Sequence, residues 1–222
     1  METLAKALLF CHVIAGSIAL ACAFVAISVR KGAKLHNLVG RIYFWSMMAI
    51  AITAIPVAII RPNIMLLLVA LFSSYMAYIG WRFGNRIRYM SARRPVVPVL
   101  MLATGIFMIF TGLVQVFSGT PMGWALAAFG GIGLQFSITD IRVHGKELAF
   151  ADRITMHLTH MLGGTIATVT AVLVQQVVPR MGAENPWAVA VWLAPTLVIT
   201  PLIGIWATAV QKTKKAKLTF TK

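Results

Sequence analysis

The chain has 222 residues, of which 59% are hydrophobic and 11% charged, against roughly 45–50% and 25% in a soluble globular domain. A soluble fold of this size could not keep so much apolar side chain out of water, so composition excludes that class. Lys and Arg number 20 against 5 Asp and Glu, a net charge of +15. The basic residues sit in short clusters between long apolar runs, so the charge reads as membrane orientation and speaks against a nucleic-acid partner.

In chain order, seven apolar runs are long enough to cross a ~30 Å hydrocarbon core as helices. They lie at 7–29, 42–60, 64–81, 96–117, 122–141, 154–178 and 187–210. The expected fold is all-α: a polytopic bundle of seven transmembrane helices forming a single integral membrane domain, 1–222, because only helices satisfy every backbone group within such a run. In the first run Ala19-Leu20-Ala21 resembles a signal-peptide cleavage site. Cleavage there would leave Arg30, Lys31, Lys34 and Arg41 outside, against the trend of every later loop, so the run reads as a true span. Cys11 and Cys22 lie about 16 Å apart by helical rise, too far for a disulfide with each other, and read as small buried hydrophobes. Gly130, Gly131, Gly133, Gly163 and Gly164 suit close helix contacts. Pro195 and Pro201 should bend the last run, and Pro56 the second.

Basic residues give the expected orientation. After runs one, three, five and seven stand Arg30, Lys31, Lys34 and Arg41; Arg82, Arg86, Arg88, Arg93 and Arg94; Arg142, Lys146 and Arg153; and Lys212, Lys214, Lys215, Lys217 and Lys222. The opposite side holds only Lys6, Arg61 and Arg180. By the positive-inside rule the N-terminus is outside and the C-terminus cytoplasmic, as in a multi-pass protein of a bacterial inner membrane.

The acids Glu2, Asp140, Glu147, Asp152 and Glu184 all fall at span ends or in loops, which speaks against an ion-coupled carrier with a midplane carboxylate. Histidines carry the remaining chemistry. His36, His144, His157 and His160 all fall on the cytoplasmic side, with His157 and His160 one turn apart on one face of run six. Asp140 and Asp152 are near enough in sequence to orient them. His12 stands toward the outer side, about 15 Å or more in depth from His160. A hydrogen bond to Gln115, Gln175 or Gln176 would suit it as well as a cofactor would. The spacing His-x-x-x-Gly occurs at His12 and Gly16, His36 and Gly40, and His160 and Gly164. A glycine one turn from a histidine clears room for a flat macrocycle, as a haem with histidine ligands requires.

Three segments carry a resemblance. His12-Val-Ile-Ala-Gly-Ser-Ile-Ala-Leu, Lys34-Leu-His-Asn-Leu-Val-Gly-Arg-Ile-Tyr43, and the run from His157 through His160 and Gly164 to Ala171 resemble a family of bacterial multi-pass membrane proteins known as domain of unknown function 2306. The family pattern implies roles for His12, His36, Gly40, Arg41, Tyr43 and His157. Asn37 stands where members carry Arg, and His160 where they carry an aromatic residue, so His160 is a feature of this chain.

The leading functional expectation is a b-type haem protein that moves electrons to or from quinone or a redox partner. His36 and either His157 or His160 would be the axial ligands, with Gly40, Arg41, Tyr43 and Gly164 about the haem. The alternative is a zinc-dependent membrane hydrolase using His36, His144, His157, His160 and Asp152. A third reading is a cofactor-free carrier or assembly protein with structural histidines.

Overall fold

The computed structural model describes residues 1–85, 94–182 and 185–219, with side chains through 212. Arg86, Arg88, Arg93, Glu184 and Lys222 lie outside the described residues, as do the side chains of Lys214, Lys215 and Lys217. The described chain is seven helices: α1 (Glu2–Ser28), α2 (Lys34–Ile60), α3 (Ile64–Gly84), α4 (Val96–Phe117), α5 (Gly123–Val143), α6 (Phe150–Met181) and α7 (Ala188–Thr219). All but α5 are long and apolar enough to cross a membrane. Gln135, Ser137, Thr139, Asp140 and Arg142 make α5 more polar. Helices α2 and α6 begin before their apolar runs, which brings His36, Gly40 and Arg41 into α2. Pro56, Pro195 and Pro201 all lie inside continuous helices.

The interior of the bundle is an apolar core with a few polar groups enclosed in it, and its outside is apolar. Asp140, His160 and Ser137 are fully buried and Thr165, Thr168 and Thr170 nearly so, while Phe10, Ile52, Phe110, Leu197 and Val198 are exposed. A protein solvated by hydrocarbon needs this arrangement, because polar groups find partners only inside. Cys11 faces outward and Cys22 is half-buried, so the expectation that both are buried holds for neither in full; both are free. Helix α3 is central: Leu68, Phe72, Met76, Ile79 and Phe83 pack with Met101 and Met108 of α4, Leu126 and Phe129 of α5 and Trp192 of α7. A second cluster joins Ala19 and Ala23 of α1 to Tyr43 and Met47 of α2 and Ala77 of α3.

Glycine sets the closest contacts. A Cβ on Gly105 would meet the Gly130 carbonyl at 2.9 Å, and one on Gly112 would meet Ala127 N at 2.7 Å, so α4 and α5 run backbone against backbone. Gly133 and Gly163 also face close neighbours, whereas Gly131 faces open space. After α6, Gly182 takes φ 88°, a left-handed value that suits glycine, and its N–H donates to the Val178 carbonyl. Between α1 and α2, the Lys31 ammonium donates to the Ala26 carbonyl at 2.9 Å and to that of Ile27, and lies 5.6 Å from the Trp206 ring centre. Its charge complements the C-terminal end of the α1 dipole, and partial burial lowers its pKa.

Candidate functional site

The structure separates the inner histidines into different environments. His36, early in α2, and His157, in α6, face one another with ring centres 6.4 Å apart and planes at 81°. His157 Nδ1–H donates to the Gly80 carbonyl at 2.8 Å, and His36 Nδ1–H donates to the Ala26 carbonyl at 3.2 Å. A carbonyl only accepts, so the partners place the proton on Nδ1 in both rings and leave both Nε2 atoms as lone-pair donors when neutral. Glycines of α3 seat the pair: a Cβ on Gly84 would lie 2.7 Å from His157 Nδ1, and one on Gly80 would lie 3.1 Å from the Cβ of His160. Arg153 donates to the carbonyls of Phe83 and Gly84, which ties the end of α3 to the start of α6.

His160 turns the other way. Residues three apart on a helix differ by about 60° around its axis, and α3 fills the angle between them. His160 is fully buried, with Phe136 at 4.8 Å, Phe83 at 5.8 Å and Tyr75 at 6.2 Å, centre to centre. Its Nδ1–H donates to the Met156 carbonyl at 2.8 Å, and its Nε2 lies 2.9 Å from Asp140 Oδ2. The Tyr75 hydroxyl donates to the same Oδ2. A bond between Nε2 and Oδ2 requires one proton between them, which the imidazole and the carboxyl share. Asp140, expected at a span end and near enough to orient a histidine, does so for His160: it lies in the last turn of α5 inside the bundle, fully buried.

The other candidates are placed elsewhere. His144 follows α5 beside Tyr78, Arg82 and Pro95. Asp152 accepts a hydrogen bond from Gln211 Nε2 of α7 at 3.0 Å. Tyr43 is buried with its hydroxyl against Gly164, where a Cβ would come within 2.7 Å of it. The clearing expected at Gly164 is thus filled, while Gly40 and Gly16 face open space and Arg41 is exposed. His12 pairs through Nδ1 with Thr53 Oγ1 at 3.1 Å, in place of Gln115, Gln175 or Gln176. Thr53 already donates to Ala49, so it is the histidine N–H that donates here.

Among the described residues, no three His, Cys, Asp or Glu side chains converge as metal ligands. His36 and His157 face one another, while His144, His160 and Asp152 are placed elsewhere, so the structure does not bring these five residues together. Compared with family models, curated proteins and solved structures, the chain matches none.

Sequence reading missed Tyr75 and the pair Gly80 and Gly84. The latter had a signal, since Gly80-x-x-x-Gly84 is the small-residue spacing of close membrane-helix contacts. Tyr75 had none, because nothing in its neighbourhood marks which helix face turns toward Asp140.

Proposed function

We propose that the protein is a seven-crossing membrane protein of a bacterial inner membrane, N-terminus outside and C-terminus cytoplasmic, that moves electrons through a b-type haem held by His36 and His157. Quinone or a redox partner would exchange those electrons, and kinship with the family that the Lys34 to Tyr43 segment resembles belongs to the same reading. The observation that carries it is the facing histidine pair. The two ring centres lie 6.4 Å apart and both Nδ1 atoms are engaged by carbonyls, so His36 and His157 are the residues that would hold the haem through Nε2. Carbonyls on both Nδ1 atoms would fix the ligating tautomer, as partners of metal-bound histidines do. Gly40 leaves room one turn from His36, and exposed Arg41 suits a propionate. A haem held there would supply one-electron transfer.

Oxidised and dithionite-reduced absorption spectra of the detergent-purified protein test this reading. A Soret band and a sharp reduced α band are expected. His36→Ala and His157→Ala should each abolish them in protein that remains abundant, whereas His160→Ala and His12→Ala should retain them. An absent pigment, or a spectrum indifferent to His36 and His157, overturns the haem.

The seventeen-to-three split of basic residues supports the orientation. The glycine contacts of α4 with α5 support the seventh crossing, since a bilayer that admits α4 must admit the helix laid along it. Reporter fusions after Lys222 and within 82–94 should read cytoplasmic, and one at Gly119 external. An external C-terminus would refute the topology.

A further inference from the structure

Helix α5 has three exposed residues, Trp124, Gln135 and Arg142, and all its others are partly or fully buried. From Trp124 to Gln135 is close to three turns and from Gln135 to Arg142 close to two, so the three fall within about 20° of one line down the helix. Elsewhere the circumference is occupied: Gly130 lies against Gly105 and Ala127 against Gly112 of α4, and Leu126 and Phe129 join the core around α3. The two ends of the line suit a bilayer, since Trp124 begins the helix and Arg142 ends it, where an indole and a guanidinium reach the head groups. Its middle does not. By helical rise Gln135 is ~18 Å from Gly123 and ~12 Å from Val143, too deep for its short side chain to reach water.

The backbone carbonyl of Gln135 accepts from Thr139 at 2.9 Å, but its side-chain amide makes no hydrogen bond among the described residues. An acyl chain offers that amide nothing, and leaving it unpaired in hydrocarbon is costly. The chemistry of the amide says what would cover it. It carries donor and acceptor together, so it pairs with its own kind, as a carboxylate or an ammonium cannot. Copies of a membrane protein share one orientation in the bilayer, and a two-fold axis along the membrane normal brings each residue to the depth of its counterpart. Two Gln135 amides then meet and exchange donor for acceptor, a bond that joins membrane helices. The two Arg142 side chains lie ~10 Å further along by helical rise, where head groups and water screen them. Gln135 and Thr200, both exposed, also stand at the rim of a cavity of about 370 Å³ between α3, α5, α6 and α7. A helix seated on the stripe would cover that rim.

We infer that two copies of the chain pair about a two-fold axis through this stripe of α5, with the Gln135 amides bonded to one another at its centre. The inference is independent of the haem and rests on α5 crossing the bilayer.

Full-length chains carrying donor or acceptor fluorophores, reconstituted in vesicles of phosphatidylethanolamine and phosphatidylglycerol, should show energy transfer that saturates with the protein-to-lipid ratio and falls when unlabelled chain is added. Gln135→Leu should weaken this association about tenfold, the worth of a reciprocal pair of hydrogen bonds between membrane helices. Gln135→Asn, which keeps the amide, should retain most of it. Phe110→Leu, at an exposed position of α4, should leave it unchanged, with circular dichroism confirming that all three variants stay helical. Energy transfer no greater than random proximity gives, association indifferent to Gln135→Leu, or equal sensitivity to Phe110→Leu overturns the inference. Reporter fusions at Gly119 and Lys146 separate this failure from that of the topology. Reporters on one side remove the crossing of α5 and the pairing with it, whereas reporters on opposite sides with no association overturn the pairing alone.

Discussion

Asp140→Leu should destabilise the detergent-solubilised protein more than any single substitution on its lipid-facing perimeter. One oxygen of Asp140 holds both the Tyr75 hydroxyl and His160 Nε2, and both partners come from other helices. Leucine would leave these two polar groups buried without a partner, at about 1–3 kcal/mol each, so a loss of about 2–6 kcal/mol is expected. Asp140→Asn keeps one acceptor and should fall between leucine and wild type. The triple replacement Tyr75→Phe, Asp140→Leu, His160→Phe removes every partner together and should regain most of the loss, because a buried polar network exchanged whole for apolar groups of similar shape costs little. Thermal melts of a fluorescent fusion, read by the fraction left monodisperse, measure this order. Equal midpoints for Asp140→Leu and wild type would show that the network contributes nothing to stability.

Gly84→Leu should be nearly as damaging and should also disturb the histidine pair without altering either ring. The first atom of any side chain there would lie 2.7 Å from His157 Nδ1, and that nitrogen is already fixed on the Gly80 carbonyl. Either α3 and α6 separate or the imidazole leaves its acceptor. Overpacking of this kind costs about 1–3 kcal/mol, and if a haem is held as proposed the displaced ring should bleach its spectrum. Gly16→Leu and Gly131→Leu, whose Cβ atoms meet nothing within 4 Å, serve as controls and should melt as the wild type does. A Gly84→Leu protein with unchanged midpoint and spectrum would refute the close α3 to α6 contact.

The contrast between these glycines shows where sequence was informative. Hydropathy located all seven helices, six of which are long and apolar enough to cross hydrocarbon, and it erred mainly at ends such as 34–41, where a polar turn continues α2 beyond its apolar part. Spacing brought His157 into view but placed His160 on the same face, since a one-turn period does not say which neighbouring helix fills the angle between two side chains. Sequence placed Asp140 at a span end, close enough to orient a histidine, but could not show that the end is buried. Only the packing of α3 and α6 around α5 makes that end an interior.

The proton between Asp140 and His160 has an electrical consequence. A membrane potential does ~2.3 kcal/mol of work per 100 mV on one elementary charge carried across the whole bilayer. A proton passing from Nε2 to Oδ2, atoms 2.9 Å apart, travels at most about a tenth of a ~30 Å core, and exchanges no more than about 0.2 kcal/mol with a 100 mV potential. Voltage is therefore a weak lever on the polar centre of the bundle, and the position of that proton is governed by what touches it: the Tyr75 hydroxyl, the Met156 carbonyl behind the ring, and three aromatic faces.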